Sequence, residues 1–160
     1  MFTFKTSNSG WVSSKETARF VRQLLKESFP GIKFSVVKDD YSMGASVYVR
    51  WDDGPTVKQV DEVLKLVTGK TFDGMTDSYS YHDRYWCGER IHFGIDMVST
   101  NRSMGDETRV KMMPEGMGTP SDARDAVYQK FRETSFTPTT KSATLALLVL
   151  SQDDETKEAA

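Results

Sequence analysis

A single cysteine, Cys87, leaves this 160-residue chain unable to form an internal disulfide. It is therefore not a stapled secreted scaffold, and a reducing compartment suits it. Long apolar runs are also missing. The longest, residues 145–150 behind Ala143, falls far short of the roughly 20 residues that span a bilayer. The N-terminal MFTFKTSNSGW has no apolar stretch of signal-peptide kind. No membrane association is expected, and the expected location is the cytoplasm. Histidine occurs only twice, at His82 and His92. Glycine-rich phosphate loops, G-x-G-x-x-G and G-x-S-x-G are absent. A net charge of −2 argues against a globally basic nucleic-acid binder.

What is present is a globular composition, 38% hydrophobic and 28% charged, on a scale that suits one domain with room for an appendage. Charge is polarised along the chain. Residues 1–50 carry eight Lys or Arg against four acids, residues 51–100 five against nine, and the last ten one against four.

Ser13 followed by Glu16 has capping-box spacing and predicts a helix start. Ala18, Val21, Leu24, Leu25 and Phe29 supply its buried stripe, and Pro30-Gly31 ends it. Lys15, Arg19, Arg22 and Lys26 recur at i, i+4, i+7 and i+11. They form a narrow basic stripe away from the apolar face. Such a stripe is either a solvated surface or a contact line for phosphates or an acidic protein.

Residues 32–37 alternate as a half-buried strand, Asp39 to Gly44 reads as a turn, and Ala45 to Trp51 reads as the return strand. Together they predict a hairpin with a six-residue loop. Thr56 can cap a second helix with Val57, Val60, Val63, Leu64 and Val67 as its core stripe. Short strands are expected at Ser78–Tyr81 and Arg90–Phe93 around a turn near Asp83–Gly88, and Asp96–Thr100 extends the second or adds another. The order αββαββ is a circular permutation of the ferredoxin-like arrangement. The expected fold is α+β, an antiparallel sheet with both helices packed on one face and the other face partly open.

Periodicity is lost from Asn101 to Ser121, where three glycines, two prolines and four methionines suggest a linker or extended arm. Ser121 can cap a third helix with Ala123, Ala126, Val127 and Phe131 on one side. Ser142–Leu150 is a short apolar segment, helix or edge strand. The expected division is 1–102 for the αββαββ unit and 103–160 for a linker and helical C-terminal extension. The apolar segment either folds back onto the domain or meets a second copy, as a homodimer through residues 121–150.

The blocks Phe29-Pro30-Gly31, Lys33-Phe34-Ser35-Val36, Trp51, Asp53-Gly54-Pro55, Phe72-Asp73-Gly74 and Asp77, with their spacing, resemble the large polyvalent protein-associated domain 29 family over about residues 13–102. The resemblance implies a domain of the polyvalent proteins of phages and conjugative elements. Such proteins are thought to accompany incoming DNA and counter host defences. The family brings no catalytic residues to transfer.

Asp73, Asp77 and Asp83 with His82 and His92 are the best acidic cluster. They could gather a divalent metal for hydrolysis, but the spacing fits no defined metal loop, and Asp before Gly commonly fixes a turn. No cofactor is expected. Cys87 between His82 and His92 could be a nucleophile, although a lone cysteine in a turn is ordinarily packing. Tyr79, Tyr81, Tyr85, Trp86 and Phe93, with Arg84 and Arg90 interleaved, are either core or an exposed face that stacks bases. The acidic surroundings favour a basic protein partner over phosphates.

The expectation is thus a non-enzymatic accessory protein of a phage or plasmid that binds a host protein, such as a CRISPR or restriction nuclease. Asp77, Asp83, Tyr79, Tyr81, Tyr85 and Arg84 are its contact residues. The alternative is a binder of single-stranded or structured nucleic acid through Lys15, Arg19, Arg22, Lys26 and Arg90. A metal-dependent enzyme ranks third.

Overall fold

The computed structural model describes residues 3–6, 9–81, 83–113, 121–137, 139–144 and 148, without the side chains of residues 71–72, 79–81 and 121–123. The order begins with β1 (Trp11–Val12), α1 (Ser14–Ser28), β2 (Ser35–Tyr41), β3 (Gly44–Asp52) and α2 (Val57–Leu64). It continues with β4 (Lys70–Asp73), β5 (Ser78–Tyr81), β6 (Arg84–Trp86), β7 (Glu89–Phe93), β8 (Met97–Ser103), α3 (Asp106–Met112) and α4 (Ser121–Glu133). The α+β class holds.

Both caps form. Ser13 accepts the Glu16 N–H at 3.3 Å, while the Glu16 carboxylate turns to Arg19 at 3.1 Å instead of closing the box. Around α2 the box is complete, with Thr56 and Gln59 satisfying each other's backbone N–H. Helix α1 buries Ala18, Val21, Leu24 and Leu25, and α2 buries Val60, Val63 and Leu64; Val57, expected in the α2 stripe, is exposed in the first turn of the helix. Phe20 joins the buried set of α1. It stacks on Phe93 at 5.7 Å and meets Trp86 edge-on at 5.4 Å.

The single antiparallel sheet is not what forms. Strands β2, β3 and β8 make one sheet, β1, β7 and β6 a second, and β4–β5 a separate hairpin. Two pairings, β3–β8 and β1–β7, are parallel. Alternation marks a strand but not its neighbour, and a parallel partner lies a whole crossover away in sequence. Around the first sheet, α1 lies against β2 and β3, α2 against β8, and the helices touch. Val36, Val47, Val49 and Trp51 are buried beneath them, while Val37, Tyr41 and Met97 are exposed.

The first hairpin is tighter than expected. Asp39, Asp40 and Tyr41 lie in β2, Tyr41 registers with Gly44, and only Ser42 and Met43 turn. The acids suit β2 because it is an edge strand, where charge is tolerated; Lys38 pairs with Asp40. Gly44 is required because a Cβ there would collide with the Asp96 carboxylate. That carboxylate accepts the Tyr41 hydroxyl at 2.9 Å and pairs with Lys70 at 2.9 Å.

The supposed linker after Asn101 contains the end of β8 and all of α3. Helix α3 buries no residue, so it had no apolar period to reveal it. Among the described side chains of α4, residues 124–133, only Phe131 is buried; Val127 is half-buried and Ala126 exposed. Ala123 and the Ser121 side chain lie outside the described residues.

Two polar joints fasten the chain beyond β8. Arg102, at the end of that strand, donates from Nε to the Asp53 carbonyl (2.7 Å), from Nη1 to that of Phe131 (2.8 Å), and from Nη2 to those of Gly54 (3.1 Å) and Thr134 (2.9 Å). Its guanidinium lies 4.1 Å from the Phe131 ring centroid. Burial lowers its pKa, and Asp53 partly opposes that. At the C-terminus of α1, Glu27 Oε2 accepts from Ser142 Oγ (2.5 Å), Thr144 Oγ1 (2.8 Å) and Thr144 N (3.2 Å). Thr140 N donates to the Ser28 carbonyl at 2.9 Å. Leu148 then enters the core, fully buried.

Arg102→Ala strips one donor group from four carbonyls and should cost about 2–4 kcal/mol, read as a lower urea midpoint at nearly constant slope. Arg102→Lys should recover little, because an ammonium cannot reproduce the planar fork. At Glu27 desolvation opposes the charge, yet hydrogen bonds from Ser142, Gln23 and Thr144 hold the pKa at about 2. A depressed carboxyl stabilises the docked segment fully above its ordinary value of 4.5, and that contribution disappears as pH falls from there towards 2. Protection of the Thr144 amide from hydrogen exchange should fall over that window. In Glu27→Gln it should be lower at neutral pH and flat through the same range.

Candidate functional site

The residues singled out in the acidic middle occupy two hairpins. In β4–β5, Asp73 Oδ1 accepts the Met75 N–H at 2.9 Å and Oδ2 accepts the Thr76 hydroxyl at 3.1 Å. These bonds hold its carboxyl below the usual range, the Met75 amide contributing most. Asp77 completes the turn in the left-handed region, φ 47°. Asp73 thus fixes its own loop as Asp before Gly does, and Met75 projects from the tip with 96% of its surface exposed. The β5 backbone places Tyr79 and Tyr81 on one face of the strand by alternation; their side chains lie outside the described residues.

In β6–β7 the turn is Cys87-Gly88, both at positive φ (52° and 82°), a two-residue connection whose sign suits the strand twist. Asp83 pairs with Arg90 at 2.5 Å and lies 3.3 Å from His92 Nδ1. Arg84 is half-buried. It donates from Nε to the Leu66 carbonyl at 3.0 Å and from Nη1 to that of Asp83 at 3.2 Å; burial lowers its pKa. The aromatic group divides. Trp86 and Phe93 belong to the core, whereas Tyr85 is half-buried. Cys87 is exposed at the turn, His92 is turned to Asp83, and His82 lies outside the described residues. Among the described residues no three His, Cys, Asp or Glu side chains gather as a metal site would require.

The basic stripe of α1 is exposed along its length at Lys15, Arg19, Arg22 and Lys26. Its arginines are nevertheless engaged with the protein itself. Arg19 donates to the Thr3 carbonyl at 2.7 Å and pairs with Glu16, and Arg22 donates to the Val36 carbonyl at 2.6 Å.

A larger feature is not legible in the sequence. Between α2, the end of β8, α3 and α4 lies an open cleft of about 1110 Å³. Val57, Met104 and Phe131 contribute apolar surface, Tyr128 stands at one side, and Lys58 and Arg132 are among its cations. The segment behind half of this wall has no apolar period, so only the tertiary fold brings it together. The hint that existed was Phe131 in an otherwise polar helix.

The motif residues build scaffold. Phe29 and Phe34 rings lie 5.9 Å apart, and Phe34 and Trp51 rings 5.5 Å apart. The Trp51 indole donates to the Pro55 carbonyl at 2.9 Å. Asp53 accepts the Gly105 N–H at 2.9 Å. Gly54, at φ 55°, leaves just enough room for Ile32, whose Cδ1 would meet a Cβ at 3.0 Å.

No helix among the described residues is long and apolar enough to cross a membrane. No curated protein and no solved structure matches the chain. The family model described as large polyvalent protein associated domain 29 matches residues 12–108, from Val12 of β1 into α3. By that match, over more than half its length, the chain belongs to the large polyvalent protein associated domain 29 family.

Proposed function

We propose that this chain is a non-catalytic accessory module of a phage or plasmid, acting in the host cytoplasm by binding a host protein, with a CRISPR or restriction nuclease as the target class. One observation carries the reading. The aromatic ladder, the Asp53-Gly54-Pro55 turn and the Asp73 loop all serve internal contacts. The hairpin tips are left outward, with Met75 almost wholly exposed and Asp77 beside it in the turn. Exposed loops on a rigid scaffold are where recognition ordinarily resides. Acidic side chains there complement a nucleic-acid-binding protein's basic channel.

The nucleic-acid alternative draws on the exposed stripe of α1. Because Arg19 and Arg22 hold main-chain carbonyls, Lys15 and Lys26 are the cleaner positions to alter.

Tagged protein should retain a discrete host protein at near-equal stoichiometry. Asp77→Lys with Asp83→Lys should weaken that complex by about tenfold or more, with an unchanged circular dichroism spectrum. Full retention by the double variant removes the hairpins from the interface. Salt-sensitive binding of a labelled single-stranded oligonucleotide that falls in Lys15→Glu/Lys26→Glu would put the nucleic-acid reading in its place.

A further inference from the structure

We propose that the cleft between α2 and α4 is a docking groove for an acidic, amphipathic peptide segment of a protein partner; this rests on reading the chain as a protein-binding module. Among its described side chains α4 buries only Phe131, and the cleft lies apart in sequence from the hairpins. Its volume of about 1110 Å³ exceeds the roughly 300–1,000 Å³ of ordinary small-molecule sites. From α4 the cleft takes Tyr128, Phe131 and Arg132, about one helical turn of wall, facing Val57, Lys58, Asp61 and Lys65 along α2.

Charge decides the occupant. Among the described residues five cations and two carboxylates line the cleft, in a chain whose net charge is −2. One of the two carboxylates, Asp61, is already engaged by the Thr100 hydroxyl at 2.6 Å. Arg102 is engaged at the joint and Arg109 pairs with Asp106 at 2.7 Å. Arg132 donates to the neutral Gln129 side chain at 3.4 Å, so Lys58, Lys65 and Arg132, all exposed, keep their charge at the cleft. An anionic ligand is therefore favoured. The apolar surface of Val57 and Met104, with Tyr128 44% exposed beside it, asks that ligand for an apolar face as well. A phosphate backbone offers no such face, whereas an amphipathic acidic helix does, in the groove-binding mode that matches one apolar stripe to another.

The probe is a fluorescein-labelled synthetic peptide of about four helical turns with leucine on one face and glutamate on the other, titrated with the full chain by anisotropy. Its lysine-for-glutamate counterpart and an oligothymidylate serve as controls. The glutamate peptide should bind with marked salt dependence, the lysine peptide should not, and Lys58→Glu with Tyr128→Glu should weaken binding by about tenfold. Both substituted positions are exposed, and the variant's thermal midpoint guards against loss of fold. Equal binding of the two peptides, unchanged binding in the variant, preference for the oligothymidylate or no binding at all would overturn the groove assignment. The same variant in the host-protein experiment separates the two claims. If Asp77→Lys/Asp83→Lys loses the host protein and the groove variant keeps it, the groove assignment fails and the binding-module reading stands. If even the wild-type chain retains no discrete host protein, it is the module reading that fails.

Discussion

A guanidinium with four backbone carbonyls around it ties the end of β8 to the turn before α2 and to the C-terminal end of α4. Arg102 holds the Asp53-Gly54 turn with Nε and Nη2, and the C-terminal end of α4 with Nη1 and Nη2. A lysine could point one charge at this site but could not fork between two segments. The arrangement also relieves a problem common to helix ends. The last carbonyls of α4 have no partner inside the helix, and Arg102 supplies a charged donor to the Phe131 and Thr134 oxygens while its face lies over the Phe131 ring. Where Phe136 N donates back to the Gly54 carbonyl at 2.9 Å, the chain leaving α4 is fixed to the same turn. Arg102 itself lines the α2–α4 cleft, so the clamp forms part of its floor.

The C-terminal chain is then secured a second time, by chemistry of opposite sign. Glu27 offers a carboxylate to two hydroxyls and an amide from residues 142–144, at the end of α1 where the helix dipole gives a carboxylate no help. Its depressed pKa therefore arises from direct donors and not from the helix. Two distant joints, one cationic and one anionic, bracket the stretch from α4 to Leu148. Neither uses apolar burial as its principal means. That explains why α4 can remain exposed over most of its surface without being loose.

Much of the first hundred residues was legible because local signals and tertiary outcome agree there. Ser13 and Thr56 cap where their side chains can reach the N3 amide, and the helical stripes are buried as spaced apart from Val57, which the first turn of α2 leaves exposed. The misreadings have a common cause. Asp39 and Asp40 resemble a turn by composition, but an exposed edge strand accepts the same residues. Helix α3 has no buried face, so nothing in its sequence distinguishes it from a coil. The strand expected at Asp96–Thr100 runs over Met97–Ser103, three residues into the supposed linker, and its parallel seat beside β3 is a long-range choice that no local pattern encodes. The polar joints were hidden more deeply. Arg102 and Glu27 are single charged residues in polar surroundings, and only their carbonyl and hydroxyl partners, far away in sequence, distinguish them.

This division bears on where function can lie. Several residues that match the family are fixed by internal demands: the rings of Phe29, Phe34 and Trp51, a left-handed Gly54, an indole bond to Pro55, a self-capped Asp73 loop. A substitution at any of these perturbs the scaffold before it perturbs a ligand, so they constrain the fold and say little about what is bound. Asp77, by contrast, is exposed at its turn. Surfaces free of those demands are the hairpin tips and the cleft wall that α4 adds beyond residue 108, where the family match ends. Members that share the scaffold but differ in the chain beyond it would keep Asp53 and Gly54 as a joint and replace the wall hung on it. Recognition by the cleft would then be a property of the individual chain, and recognition by the hairpins a property open to every member.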